Sequence, residues 1–171
     1  IGRLARGLDE SINRIRELEN VDARNTTEGS SNINIHEYDL DLINFQLERG
    51  KPIPAGPAKK IKKLHLPKYS KRIIPSLYRF ENLESVDLSE SSITDLRGIS
   101  RCEKLVKFVA RKSDISNIDE LFKNKSISTL IMRGSKIGNL INIDKNNNLT
   151  HVDLSYCGIA DFSFVSKLIC L

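Results

Sequence analysis

The sequence predicts an α/β fold: a right-handed solenoid with a parallel concave sheet, short helical or 3-10 segments on the convex side, and an α-helical N-terminal segment. Three observations predict it. The chain repeats itself every 22 residues, apolar residues recur in register, and each repeat opens with an alternating, strand-like run. The five repeats begin at Ile61, Leu83, Leu105, Ile127 and Leu149.

The apolar positions of the repeat account for its core. When each repeat is numbered from 1 to 22, apolar residues recur in columns 1, 4, 6, 11, 14 and 17. Of these 30 positions, 29 are apolar, and only Lys71 is not. A chain that is 39% hydrophobic would fill roughly 12 of them by chance, so the columns mark a repeated structural unit. No single repeat can bury its own apolar face, and each therefore depends on its neighbours.

Column spacing assigns each part of the repeat to a side of the solenoid. Columns 4 and 6 alternate along a strand and face the core, while columns 3, 5 and 7 face solvent. Columns 11, 14 and 17 recur every third residue, which suits a short helix or 3-10 turn on the convex side. Column 13 holds residues that can begin these segments as Asx turns or caps. They are Asp95, Asn117, Asn139 and Asp161.

The pattern LxxLxLxxxxIxxLxxI resembles the leucine-rich-repeat family, in the 22-residue class found in phosphatase-1 regulators and bacterial internalins. The resemblance covers about two-thirds of the chain. It implies a curved solenoid that holds another macromolecule, usually on its concave face. Column 9, which is usually Asn in the family, departs from the pattern, but a serine hydroxyl can also bond the loop backbone, with a less rigid turn expected. The column reads Tyr69, Ser91, Ser113, Ser135 and Cys157.

The first part of the chain is predicted to hold an amphipathic helix and a linker. Residues 1–20 carry apolar side chains at helical spacing, and this helix could pack on the protein's own body or on a partner helix. Residues 21–34 are polar and without periodicity, which indicates a linker. The apolar positions of the helix are Ile1, Leu4, Leu8, Ile12, Ile15 and Leu18.

Residues 35–60 are predicted to form a helical N-terminal cap and a proline-rich connector. Acidic residues lie early in the helical part and Gly50 lies where a helix would end. One face of this helix is expected to cover the open front of the solenoid, as terminal caps do. That face comprises Ile35, Tyr38, Leu42 and Phe45. Leucine-rich repeats then occupy residues 61–171.

Both ends of the sequence predict a longer protein. The first residue is Ile rather than Met, and Leu171 would open a sixth repeat with the C-terminal cap missing. A solenoid cut at this point would expose part of its core to water. The residues expected to be exposed are Val152, Leu154, Ile159 and Phe162.

Charge and cysteine content indicate which kind of protein this is and which cellular compartment it occupies. Residues 1–58 carry a net charge of −3 and residues 59–171 a net charge of +8, so the surplus of +5 belongs to the repeats. No run approaches the ~18 apolar residues of a membrane span, and no signal peptide is visible.

The cysteines lack paired spacing, which favours a reducing, intracellular location, cytoplasmic or nuclear. They are Cys102, Cys157 and Cys170. Glycosylation sequons, which matter only in a secreted protein, begin at Asn25, Asn124 and Asn148.

The concave face is the best candidate for a functional site. Val109 and Ile131 are expected to lie side by side and exposed, with Lys107, Arg111 and Arg133 around them. An apolar centre surrounded by arginine is typical of protein-binding surfaces. The pattern predicts a non-enzymatic scaffold or adaptor within a larger complex, binding an acidic or amphipathic segment of a protein partner. The predicted face comprises Lys63, His65, Asp87, Lys107, Val109, Arg111, Thr129, Ile131, Arg133, His151 and Asp153.

A basic run at the first repeat keeps other functions open. It could bind nucleic acid or another polyanion, as in a subunit of a nucleic-acid-associated complex. The favoured interpretation is that these lysines protect an edge strand from unwanted pairing, because only Tyr69 is near enough for base stacking. A third alternative is the recognition arm of a larger enzyme or of a bacterial virulence factor. The lysines are Lys59, Lys60, Lys62, Lys63 and Lys68.

Catalytic and metal chemistry are not predicted. His151, Asp153 and Ser155 have the residue types of a hydrolytic triad, but neighbours at this spacing on a strand lie about 6.5–7 Å apart. A triad needs contacts near ~3 Å. The histidines lack metal-ligand spacing, and no Walker loop, dinucleotide fingerprint or CxxC pair is present. The sequence therefore predicts no cofactor and no metal.

Overall fold

A computed structural model describes residues 40–137, 140, 142–146, 148–161 and 163–168. The predicted helix 1–20, the predicted linker 21–34 and the first residues of the predicted cap lie outside this part of the chain.

Five parallel strands form one sheet along the described chain. They are β1 (Lys63–His65), β2 (Ser85–Asp87), β3 (Lys107–Val109), β4 (Thr129–Ile131) and β5 (His151–Asp153), in that spatial order. Each strand pairs with the next at an offset of 22 residues, so Leu64 stands opposite Val86 and Phe108 opposite Leu130. The register confirms the predicted period, because equivalent columns of the repeat lie side by side.

A continuous apolar core lies behind the sheet. Columns 4 and 6 point inward, as predicted, and their side chains are at most 2% exposed in the first four repeats. In the fifth repeat the equivalent Val152 and Leu154 are half-buried, and so is Ile159, while Phe162 lies outside the described residues. Full burial of an apolar side chain of this size contributes about 1.5–3 kcal/mol, so the inner repeats hold most of the stabilisation.

Two helices precede the first repeat, α1 (Leu40–Glu48) and α2 (Ala55–Ala58). Ile43 and Leu47 of α1 are 1% and 0% exposed and belong to the same core cluster as the repeats. The predicted contact face is wrong at Phe45, which is half-buried and lies beneath the Arg49 guanidinium. The four-residue spacing of Ile43 and Leu47 turns a different stripe of the helix toward the core. The other predicted face residues, Ile35, Tyr38 and the Leu42 side chain, lie outside the described part.

Short helical segments cover the side of the core opposite the sheet. They comprise 3-10 helices Leu77–Arg79, Ile99–Arg101, Ile143–Lys145 and Ser163–Lys167, and a short α-helix, α3 (Asp119–Phe122). The predicted Asx turns form at column 13. Asp95, Asn117 and Asp161 each accept a hydrogen bond from the backbone N–H two residues later, at 2.8, 2.9 and 2.8 Å. Asn139 lies outside the described residues.

Most column 9 side chains hydrogen-bond the backbone inside the solenoid, but the buried Ser91 hydroxyl has no hydrogen-bond partner among the described residues. The hydroxyls of Ser113 and Ser135 both donate to the carbonyl oxygen of Ala110, and Ser135 also accepts from the Ser113 N–H at 3.1 Å. In the first repeat the Tyr69 hydroxyl lies 2.9 Å from the carbonyl oxygen of Leu47 in α1. Burial, assisted by the nearby Glu48 carboxylate, raises the pKa of Tyr69 to about 12. The phenol therefore stays neutral and remains a hydrogen-bond donor near neutral pH.

Two buried asparagines form a second series of contacts, in column 20, which the sequence analysis missed. Asn124 Nδ2 donates to the carbonyl oxygen of Cys102 at 2.6 Å, and Asn146 Nδ2 donates to that of Asn124 at 2.9 Å. Their exposed fractions are 2% and 0%. Asn124 therefore cannot be a glycosylation acceptor in the folded chain, although it begins a sequon. Cys102 is a free, buried thiol, and burial raises its pKa to about 12.

Candidate functional site

The sheet arranges the predicted site residues in two rows. Column 3 places Lys63, Lys107, Thr129 and His151 in line, and column 5 places His65, Asp87, Val109, Ile131 and Asp153 in line. Arg111 and Arg133 follow β3 and β4 in column 7 and are both exposed. The parallel register thus brings all eleven predicted residues to one face of the solenoid.

The predicted exposure of the apolar centre is wrong for Val109. Its exposed fraction is 4%, whereas Ile131 beside it is half-buried. Val109 stands between Asp87 and Ile131 on the neighbouring strands. Strands in a sheet lie only about 4.8 Å apart, so the side chains on either side in the row can cover Val109. Ile131 therefore offers most of the apolar contact area in this row.

Arg111 and Arg133 form the charged centre of the face. Neither guanidinium is ion-paired among the residues that the structure describes. Arg133 instead lies over the ring of Tyr156, 4.9 Å from its centroid. Tyr156 is 80% exposed and has a left-handed backbone, with φ of 59°. The sequence analysis missed Tyr156. The residue stands in column 8, directly after the column 7 residue of the last repeat, and this position could have indicated that it lies at the concave face.

Asp–Ser pairs flank the charged centre on both sides. Asp87 Oδ1 accepts from the Ser89 hydroxyl at 2.6 Å, and Asp153 Oδ1 accepts from the Ser155 hydroxyl at the same distance. The hydroxyl and the backbone N–H of Ser155 lower the pKa of Asp153, and the positive charges of Arg133 and Arg111 lower it further. The Asp153 carboxylate therefore stays ionised, and both carboxylates are held by serines that follow them in the chain, which leaves both arginines able to receive a ligand.

Comparison with known proteins settles the fold. No protein-family model and no curated protein matches the sequence. Among solved structures, an internalin (InlF) of Listeria monocytogenes is 20% identical with a TM-score of 0.64, over 70% of this chain and 35% of that chain. Internalin C2 of the same organism is 19% identical with a TM-score of 0.66, over 75% of this chain and 59% of that one. The chain has the leucine-rich-repeat fold. It spans less than two-thirds of the length of either internalin.

The leucine-rich-repeat face does not assemble a hydrolytic triad. The Ser155 hydroxyl bonds the Asp153 carboxylate, and His151 Nδ1 lies 3.0 Å from the Thr150 hydroxyl. The imidazole is thus engaged away from the serine that it would have to deprotonate. Over the described ranges, no group of three or more His, Cys, Asp or Glu side chains could hold a metal ion. No described helix is both long and apolar enough to cross a bilayer.

The basic run lies at the first leucine-rich repeat and is partly neutralised. Lys59 pairs with Glu81 at 3.2 Å and Lys62 with Glu84 at 3.0 Å, so each contacts a carboxylate of the following repeat. β1, which carries Lys63, is the first strand in the described sheet. Lys60 and Lys68 are exposed. Two of the five lysines are therefore paired with carboxylates, and this pairing reduces the positive field that a polyanion would meet.

Proposed function

We propose that this chain is a protein-interaction module, a scaffold or adaptor, whose concave face binds an acidic or amphipathic segment of a partner protein. The observation that carries the proposal is the pair of exposed arginines, Arg111 and Arg133, unpaired among the described residues and adjacent to Ile131. Arginine beside an apolar side chain and an exposed tyrosine is the composition of a binding hot spot. Binding would depend on complementary shape and charge, without making or breaking covalent bonds.

The chemistry of the face favours a carboxylate-bearing partner. Guanidinium groups on neighbouring strands can each form a bidentate contact with a carboxylate, and Tyr156 adds an exposed ring beside Arg133. Ile131 would receive an apolar side chain of the partner. We place this interaction inside the cell, because Cys102 and Cys157 are both free thiols. A role as the recognition arm of a larger protein would use the same face.

The proposal is tested by comparing two charge-matched double variants as bait in lysate from the source cells. Arg111→Glu with Arg133→Glu removes the centre of the face, while Lys60→Glu with Lys68→Glu changes net charge equally but only within the basic run. Partner proteins identified by mass spectrometry should disappear with the arginine variant and remain with the lysine variant. Loss of a hot-spot residue typically weakens binding by about 2 kcal/mol or more, roughly thirtyfold.

The same experiment contains the outcomes that contradict the proposal. If captured proteins persist with the arginine variant, the site lies elsewhere on the solenoid. If they vanish after nuclease treatment and with the lysine variant, the chain associates with nucleic acid through the basic run, and the adaptor assignment is wrong. Steep loss of binding with rising salt would accompany that second outcome.

A further inference from the structure

A second apolar patch lies on the opposite side of the solenoid from the sheet. Ile73 and Tyr78 are each 45% exposed, and both line a pocket of about 240 Å³ together with Pro75. Exposed apolar side chains that line one pocket can mark an interaction site. With Arg79 and Arg101, these residues are called the Tyr78 patch.

The backbone is built to hold Tyr78 outward. The 3-10 helix Leu77–Arg79 begins after Ser76, whose φ is 54°, and buries Leu77 to 1% exposure, so the adjacent Tyr78 points to solvent. Gly98 of the next repeat packs directly beneath. A Cβ at Gly98, where φ is +92°, would lie 2.9 Å from the Tyr78 backbone nitrogen. This close approach needs glycine, and it fixes the position of the backbone from which the Tyr78 side chain projects.

The Tyr78 patch is positively charged. The guanidinium carbons of Arg79 and Arg101 lie 5.9 and 6.0 Å from the centroid of the Tyr78 ring, within the range of cation–π attraction. Neither arginine has a carboxylate partner in the described parts of the chain. The carboxylate lining the pocket, Asp95, is held by Arg97 at 2.6 Å. An incoming anion would therefore meet two guanidinium groups without a carboxylate partner in the described chain, one of which, Arg79, also donates from Nη1 to the carbonyl oxygen of Ile53 at 3.0 Å.

We propose that the Tyr78 patch is a second docking site, which takes an acidic peptide segment carrying one large apolar side chain. The apolar side chain packs against Ile73, Pro75 and Tyr78, and the carboxylates pair with Arg79 and Arg101. A second copy of this chain fits poorly, because a two-fold interface would place this positively charged patch against itself. Nucleic acid fits poorly because the patch offers a single aromatic ring for stacking. The site is independent of the concave face, so one molecule could hold two segments at once.

The test is an NMR titration of the isotope-labelled chain with a defined probe, the capped peptide Glu-Glu-Leu-Phe-Glu-Glu. Backbone signals of Ile73, Tyr78, Gly98 and Arg101 should shift. Control peptides replace Leu-Phe by Ser-Ser, or all Glu by Lys, and should bind at least about tenfold more weakly, since each lacks one half of the contact. Tyr78→Ser with Arg101→Glu should weaken binding at these signals by at least about tenfold.

Two variants separate this site from the concave one. Arg111→Glu with Arg133→Glu should leave the shifts at the Tyr78 patch unchanged. Val106→Ser with Lys60→Glu removes an equally exposed apolar side chain and reverses one charge elsewhere, and it should also leave them unchanged. The proposal is overturned if the peptide shifts no signal of the patch, or if the Ser-Ser peptide binds equally well. It is also overturned if sedimentation shows that the chain dimerises through Tyr78 and that the peptide cannot compete.

Discussion

Single residues in this chain adopt backbone conformations that their own identities do not explain. Column 8 has a positive φ in every repeat, between 50° and 72°, yet only one of its five residues is glycine. A left-handed conformation costs a residue with a Cβ roughly 1–2 kcal/mol, so the sheet and the inward turn must impose it. One result is that Tyr156 projects beside Arg133. The residues of the column are Lys68, Glu90, Lys112, Gly134 and Tyr156.

Alanine substitutions at Gly98 and Gly134 distinguish the cost of a left-handed backbone from the cost of a steric clash. Gly134→Ala should destabilise the chain by about 1 kcal/mol, since its φ of +72° is unfavourable but the nearest side-chain atom, on Lys112, is 3.4 Å away. Gly98→Ala should cost at least about 2 kcal/mol, because its Cβ would also meet the Tyr78 backbone. Urea unfolding of both variants measures the difference. Equal losses would show that the close approach between repeats is absent.

Ladders of side-chain to backbone hydrogen bonds connect one repeat to the next. In column 9 the Ser135 hydroxyl, and in column 20 the amides of Asn124 and Asn146, each reach a carbonyl oxygen of the preceding repeat. Asn124 also accepts from the Ser126 N–H at 2.9 Å, so its amide is used as donor and acceptor together. A buried amide whose donor and acceptor are both hydrogen-bonded stabilises the contact between repeats, and replacing it lowers the free energy of unfolding.

Asn124→Asp tests the column 20 ladder. The substitution keeps the acceptor but sets an oxygen against the carbonyl oxygen of Cys102, and we expect a loss of at least about 2 kcal/mol at pH 7. The loss should shrink near pH 4, where a protonated carboxyl can donate in place of the amide. Asn117→Asp is the matched control, since the exposed Asn117 acts in the structure as an acceptor from a backbone N–H. Thermal unfolding at pH 7 and pH 4 measures the loss of stability in each variant. Equal losses for Asn124→Asp and Asn117→Asp at both pH values would contradict this account.

The described part of the molecule is stabilised by one continuous apolar core, which each repeat completes only with its neighbours. Inner columns are fully buried because a repeat lies on each side, and the fifth repeat is half-buried at the same columns. The ion pairs of the described part join exposed or half-exposed side chains, so they add little, about 0–1 kcal/mol each. Stability should therefore depend on position along the solenoid.

Equivalent truncations at the middle and the end measure this dependence. Phe108→Ala, in the central strand, should cost about 3–5 kcal/mol, because the side chain is 0% exposed between two repeats. Val152→Ala, in the same column of the last described strand, should cost about 1 kcal/mol, since its burial is partial. Hydrogen exchange after Phe108→Ala should accelerate in the repeats on both sides. Acceleration confined to one repeat would contradict nearest-neighbour coupling.

The sequence by itself determined the period, the inward columns, the Asx turns and the membership of the concave face. These follow from local spacing, which a parallel register of 22 residues simply repeats. It could not predict that Val109 is covered, because that depends on how closely in-line side chains converge. Nor did it distinguish the stripe of Ile43 and Leu47 from that of Phe45, since both have helical spacing.

The tertiary structure alone decided the features made by contacts between repeats. Asn124 and Asn146 occupy a column that is apolar in other repeats, and their role appears only once carbonyl oxygens of the preceding repeat lie within reach. The Tyr78 patch likewise exists because Gly98 brings two repeats together and sets Arg101 beside a ring 23 residues earlier. Spacing along one strand is a local property, whereas distances between successive turns of a solenoid are set by how their backbones pack.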